Sequence, residues 1–362
     1  MTLEQPTAPP AAERLWPVGL VWLVPPGRFG GLITGFALFF SLVVLFSAAG
    51  VFGPDSSPER AEEQLAALFF SALIAYIVPM FHFISRRTIR ALDALAGQSS
   101  TTAGNEHTPT VTTAKAERSS ALLTAISHAT RRVLYKPRGW MMLVLGIGIA
   151  CAVLHNAALF TLGDFPDIPG PTRAALVIGT TVTWLVMMLV IASLMDNALH
   201  LRRIAQLMPL NPLQPAAVRP IASVAVASTL AVVGAQAAFP LLMINADASA
   251  IASLPGLFAT TVPMITLALL PIWPLHVRLR DERQQLLDAI DRRVDALGKV
   301  APGDTPAVDA LLAQLSYRRE VRAASTWPID LSIAARLAFY VTIPPLTWVA
   351  AALIERVVDR LI

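Results

Sequence analysis

The chain has 362 residues, 55% of them hydrophobic and 14% charged, whereas a soluble domain carries about 25% charged residues. With 28 Lys and Arg against 24 Asp and Glu the net charge is only +4, and those charges sit in loops beside apolar runs, so an ordinary soluble globule and a nucleic-acid-binding domain are both excluded. The single cysteine, Cys151, lies inside an apolar run, which excludes a disulfide framework and a cysteine-based zinc site.

Residues 1–28 are polar and proline-rich, without periodicity, and read as a flexible cytoplasmic arm that touches the membrane surface at Leu15-Trp16 and Val21-Trp22-Leu23. The arm is too long, and the apolar run after it too extended, for a cleaved signal peptide. Residues 29–84 form a transmembrane hairpin, with span one at Phe29–Phe52 and span two at Leu65–Ile84, each reaching the roughly 20 residues that cross the hydrocarbon layer. Residues 85–138 form a cytoplasmic insertion. Its start continues span two as a helix. Gly97 to Lys115, with Val111 its one large apolar residue, is expected to be disordered. Leu122, Leu123, Ile126, Val133 and Leu134 then mark an amphipathic helix that ends at Lys136-Pro137-Arg138.

Residues 139–195 carry spans three (Trp140–Leu162) and four (Ala174–Met195), followed by a cytoplasmic loop over 196–220. Residues 221–275 carry spans five (Ile221–Ile244) and six (Leu254–Leu275). In 276–327, Leu287, Ile290, Val294 and Leu297 recur at the spacing of a packed helical seam. After a turn rich in Pro and Gly, Thr305-Pro306 reads as a helix start, and Val308, Leu312 and Leu315 repeat the seam. This is a cytoplasmic helical hairpin. Residues 328–362 hold span seven (Leu331–Ile354) and a short tail. Pro344-Pro345 in its middle leaves open a re-entrant segment instead of a crossing.

The fold class is therefore all-α, a polytopic transmembrane bundle of about seven spans with helical cytoplasmic extensions. Of the 28 Lys and Arg, 23 fall in the arm and the three long loops, and only Arg60 and Arg173 in the alternate loops. The positive-inside rule then places the N-terminus in the cytoplasm of a bacterial inner membrane. Spans one to three and five to seven share a pattern of short outer loop and long insertion. Arg90-Ala91-Leu92-Asp93-Ala94-Leu95 resembles Gln285-Leu286-Leu287-Asp288-Ala289-Ile290. A parallel internal repeat would place the two insertions at equivalent positions and favour packing between them.

No soluble-enzyme motif is present, and no cofactor or metal is expected. Polar groups inside or at the ends of spans are the candidate sites, because they are costly there. They are His82, His155, Asn156, Asp196, His200, Gln236, Arg336 and Tyr340, with Pro344 and Pro345 as gating positions. Arg336 is the expected partner of Asp196. Thr180, Thr181, Thr183, Thr260, Thr261 and Thr266 are the hydroxyls available to line a path or pack helices.

Arg203-Ile204-Ala205-Gln206-Leu207-Met208-Pro209-Leu210-Asn211-Pro212, and Thr326-Trp327-Pro328-Ile329-Asp330 followed by Arg336, Tyr340, Pro344 and Glu355, resemble stretches of uncharacterised bacterial polytopic inner-membrane proteins. That resemblance implies a membrane setting and no activity. The leading expectation is a non-enzymatic scaffold or signal-coupling protein. Its partners are the lipid bilayer, a second copy through the cytoplasmic helices, and a cytoplasmic protein. A channel or facilitator for a small solute or ion is the alternative, and an intramembrane or lipid-handling enzyme the third.

Overall fold

The computed structural model describes residues 15–53, 58–104, 113–162, 170–238, 249–297 and 305–327, with Ala335, Ala338, Phe339 and Thr342 helical beyond them. In order, β1 (Leu15–Pro17) leads through a 3-10 turn (Gly19–Leu23) to α1 (Gly30–Ala48), α2 (Pro58–Gly104) and α3 (Thr113–Leu134). β2 (Tyr135–Pro137) precedes α4 (Arg138–Leu162), α5 (Gly170–Leu207), α6 (Arg219–Gln236), α7 (Ser249–Leu297) and α8 (Thr305–Ala323). Six of the helices (α1, α2, α4, α5, α6 and α7) are long and apolar enough to cross a membrane. That pattern is compatible with a multi-pass membrane protein. The expected span seven, with Arg336, Tyr340, Pro344 and Pro345, lies outside the described residues.

The chain is mostly helical, as expected, and three details differ. First, β1 and β2 form a two-stranded antiparallel sheet with Trp16 opposite Lys136. The arm is therefore not free from Leu15 onward. Lys136 is fully buried with its ammonium over the Trp140 ring at 5.4 Å, and the Arg138 guanidinium lies 5.2 Å from the Trp16 ring centroid. Both contacts are cation–π pairs, and the second ties the start of α4 to β1. Secondly, α2 continues to Gly104 and α3 starts at Thr113, so 11 of the 19 residues of the segment expected to be disordered are helical. Adding residues to an existing helix costs only tenths of a kcal/mol each for Ser and Thr, whereas starting a helix is what costs.

Thirdly, α1 stops at Ala48 and not at Phe52. Gly50 has φ +84. The Val51 amide donates to the Phe46 carbonyl at 3.1 Å and the Gly50 amide to Ser47 at 3.0 Å. This is the paired-bond ending in which a left-handed glycine caps the last carbonyls. Val51 and Phe46 are both buried beneath it, completing the apolar contact that accompanies such a cap.

The chain divides into two compact units. The first contains residues 1–86, 130–193 and 238–258. Its helices approach closely where glycine permits. A Cβ on Gly35 would lie 3.1 Å from the Ala75 carbonyl, and one on Gly148 would lie 3.1 Å from Leu185. Small residues at such crossings are how helices pack when lipid removes the hydrophobic drive between them. The candidate span in α1 is 11% buried and that in α4 17%, against 56% in α2, so α2 is central while α1 and α4 turn apolar faces outward. Val24, Ile74 and Val78 form a core cluster under the turn that follows β1.

The second unit contains residues 87–129, 194–237 and 259–362. It gathers residues 87–129 of the first long insertion and the whole of the second into one body. Its α6 is the most enclosed candidate span, at 61%. The far ends of α2, α5 and α7 extend past their apolar stretches in the same continuous helices, of 47, 38 and 49 residues.

Candidate functional site

In the first unit the nominated polar residues are used for packing. The His82 Nδ1–H donates to the Val21 carbonyl at 3.0 Å, which fixes the tautomer, since a carbonyl only accepts. The Thr34 hydroxyl bonds the Leu23 and Gly30 carbonyls. Together they pin the 3-10 turn against α1 and α2, leaving Trp22 69% exposed, as befits an aromatic anchor at a membrane–water boundary. His155 lies beside Trp184 at 5.8 Å, and the Asn156 amide donates to Ala152 within its own helix.

In the second unit, Gln236 is a clamp. Its side-chain amide donates to the hydroxyls of Thr260 and Thr261, at 3.0 and 2.9 Å. Two threonines nominated for a lined path are thus engaged in tying α6 to α7. Thr180, Thr181 and Thr266 turn their hydroxyls back to carbonyls four residues earlier.

Beyond the apolar stretches, the extensions are joined by polar ties. Arg278 on α7 donates to the carbonyls of Ala205 and Gln206, at 2.7 and 2.9 Å. These are among the last carbonyls of α5, which lack helical donors and carry the negative end of the helix dipole. Burial holds the Arg278 guanidinium below the usual arginine range, while Glu282 opposes that shift. The α7–α8 hairpin is fastened at three levels. Arg318 grips Asp291 with two bonds, at 2.5 and 3.2 Å. Arg283 donates to the Ala324 carbonyl at 3.1 Å. The His276 Nδ1–H donates to Thr326, and its ring stacks on Trp327 with centroids 4.2 Å apart. The Arg318 hydrogen bond holds the Asp291 carboxyl below the usual carboxylate range.

This docking uses only one side of α8. Val321 is fully buried, whereas Val308, Leu312 and Leu315 are exposed by 47%, 58% and 42%. The expected seam of α8 therefore exists in sequence, but it points away from α7.

A groove runs between α3 and the far end of α5. Ser120, Thr124 and His128, one turn apart on α3, face His200 and Arg203 on α5 across a cavity of about 440 Å³. The two imidazoles meet edge to face, with centroids 5.2 Å apart. Asp196 sits one turn before His200, at 3.7 Å. Asp196 thus meets His200 on its own helix, whereas its expected partner Arg336 lies outside the described residues. His128 was missed by sequence reasoning. The signal was present, since Ser120, Thr124 and His128 form a polar stripe on the face of α3 away from its buried Leu122, Ile126, Ala129 and Val133.

No protein-family model matches the chain, and no curated protein or solved structure is significantly similar to it. Its function is therefore argued from its own residues.

Proposed function

We propose that this chain is a non-enzymatic bacterial inner-membrane protein with its N-terminus in the cytoplasm, acting as a scaffold or signal-coupling element through its cytoplasmic helical stalks. The observation that carries this reading is the outward apolar stripe Val308, Leu312 and Leu315 on a helix fastened to α7. Asp291, which marks the level of Arg318, follows Leu275 by 16 residues, about 24 Å of helix. The stripe lies still farther along the hairpin, beyond the reach of lipid, so it serves a protein surface. The partner is a second copy. Asp309, next to Val308, and Arg319, one turn past Leu315, are exposed. Two α8 helices laid antiparallel about the level of residue 314 bring Leu312 and Leu315 of each beside those of the other and put Asp309 of each against Arg319 of the other. The use of threonine hydroxyls for helix packing supports this reading over that of a conduit.

The test is the mass of the purified protein in detergent by light scattering, with chemical cross-linking in native membranes. Wild type should assemble. Leu312→Glu with Leu315→Glu should give monomers, and so should Asp309→Arg. Asp309→Arg combined with Arg319→Asp should restore assembly. Equal masses for all four proteins would end the proposal.

A further inference from the structure

The groove between α3 and α5 has a composition that the scaffold reading does not use. Three of its lining side chains, His128, His200 and Arg203, are nitrogen donors, and two more, Ser120 and Thr124, are hydroxyls. No acidic residue lines it. The hydroxyl protons of Thr124 and Ser120 go to the carbonyls of Ser120 and Glu117, and a rotation about one side-chain bond turns them to a ligand. Asp196 approaches His200 from the preceding turn of the same helix, at 3.7 Å. Such a set suits an oxyanion with several acceptor oxygens, as Arg with flanking imidazoles and hydroxyls does for phosphate.

The depth of the groove narrows the source. The apolar run of α5 ends at Met195, and His200 follows five residues later, about 7.5 Å of helix. A bilayer's polar layer extends about 5–8 Å beyond its hydrocarbon on each side. His200 therefore stands at the level of lipid phosphates. The groove also has beside it an apolar side chain that a soluble anion would not need. Leu199, one turn before Arg203 on the same face of α5 and on the side of its apolar run, is 43% exposed. A cationic donor above an outward-facing leucine matches the two halves of an amphiphile.

We propose that this groove binds the phosphate of an anionic phospholipid headgroup, with Arg203 on its oxygens, His200 and His128 walling the groove, and Leu199 against its acyl-proximal part. The occupancy would fix the far end of α5 against α3.

The test uses the purified full chain in a neutral maltoside detergent, titrated with short-chain phosphatidylglycerol, short-chain phosphatidylcholine and inorganic phosphate, with binding read by native mass spectrometry and by thermal shift. Phosphatidylglycerol should bind and raise the melting temperature. Phosphatidylcholine and inorganic phosphate should each bind at least about tenfold more weakly, for want of net charge and of an apolar part respectively. Arg203→Gln with His128→Gln should weaken phosphatidylglycerol by at least about tenfold, the scale of losing charged hydrogen bonds. Arg203 and His128 are exposed, so the fold tolerates the change. Arg202→Gln, an exposed neighbour outside the groove, should bind as wild type does. Three results would overturn the assignment: phosphatidylcholine binding as tightly as phosphatidylglycerol, inorganic phosphate doing so, or an equal loss in Arg202→Gln.

Discussion

The Gly179 crossing gives the sharpest quantitative test of the packing. An alanine there would put its methyl 2.7 Å from Phe46 Cζ and 3.3 Å from both Phe46 Cε1 and Phe70 Cδ2. Carbon atoms rest about 3.5–4.0 Å apart, so the Phe46 ring must retreat by about 1 Å. It has little room, being 3% exposed beside Phe70 at 7% and tied into the cap at the end of α1. Overpacking of this kind costs about 1–3 kcal/mol. The gain from replacing Gly by Ala inside a helix offsets up to about 1 kcal/mol. Gly179→Ala should therefore destabilise the protein by about 1–2 kcal/mol in reversible unfolding from mixed micelles. Phe46→Leu alone should cost about 1 kcal/mol through lost contact. The double variant should be more stable than the sum of the two, with coupling of about 1 kcal/mol or more. Strict additivity, or a Gly179→Ala variant more stable than wild type, would show that helix propensity rules at this site and that the close approach is not energetically real.

Other tests address the polar ties. The pair of hydrogen bonds from Gln236 should give a coupling of about 1 kcal/mol in a double-mutant cycle of Gln236→Leu against Thr260→Val with Thr261→Val, since bonds inside membrane proteins average about 0.6 kcal/mol each. Arg278→Gln should speed amide hydrogen exchange over the last turn of α5 while leaving α1 and α4 unchanged, and Arg278→Lys should do so less, since it keeps the charge but not the fork. Asp291 is held below the usual carboxylate range by Arg318. A depressed carboxylate stabilises fully above its unfolded value and loses that contribution as pH falls through the folded one. Protection of the α8 amides, corrected for intrinsic rates, should fall below about pH 4. In Asp291→Asn it should already be reduced at neutral pH and should lose this pH dependence.

Much of this architecture is legible from residue patterns. Runs of about 20 apolar residues locate the candidate spanning helices, and the spacing of Leu122, Ile126 and Val133 identifies the buried face of α3. The sheet was not legible. Leu15–Pro17 and Tyr135–Pro137 are three residues each, too short to show alternation, and no local signal links positions so far apart. The direction of the α8 stripe was not legible either. Its sequence offers two apolar faces, and Arg318 with Arg283 selects the one that docks. The groove was half legible: His200 and Asp196 stand out as polar groups at the end of an apolar run, but their meeting with His128 depends on how α3 lies against α5. Only tertiary contact decides such matters.

The small sheet also speaks to sidedness without reference to charge. Backbone hydrogen bonds cannot form across a bilayer, so residues 15–17 and 135–137 must lie in the same compartment. The chain between them must then cross an even number of times, which the two candidate spans in α1 and α2 satisfy. There is also a consequence for biogenesis. β1 leaves the ribosome well over a hundred residues before its partner, which at about 5–20 residues per second is a wait on the order of ten seconds. The strands can pair only after α1, α2 and α3 between them have been made.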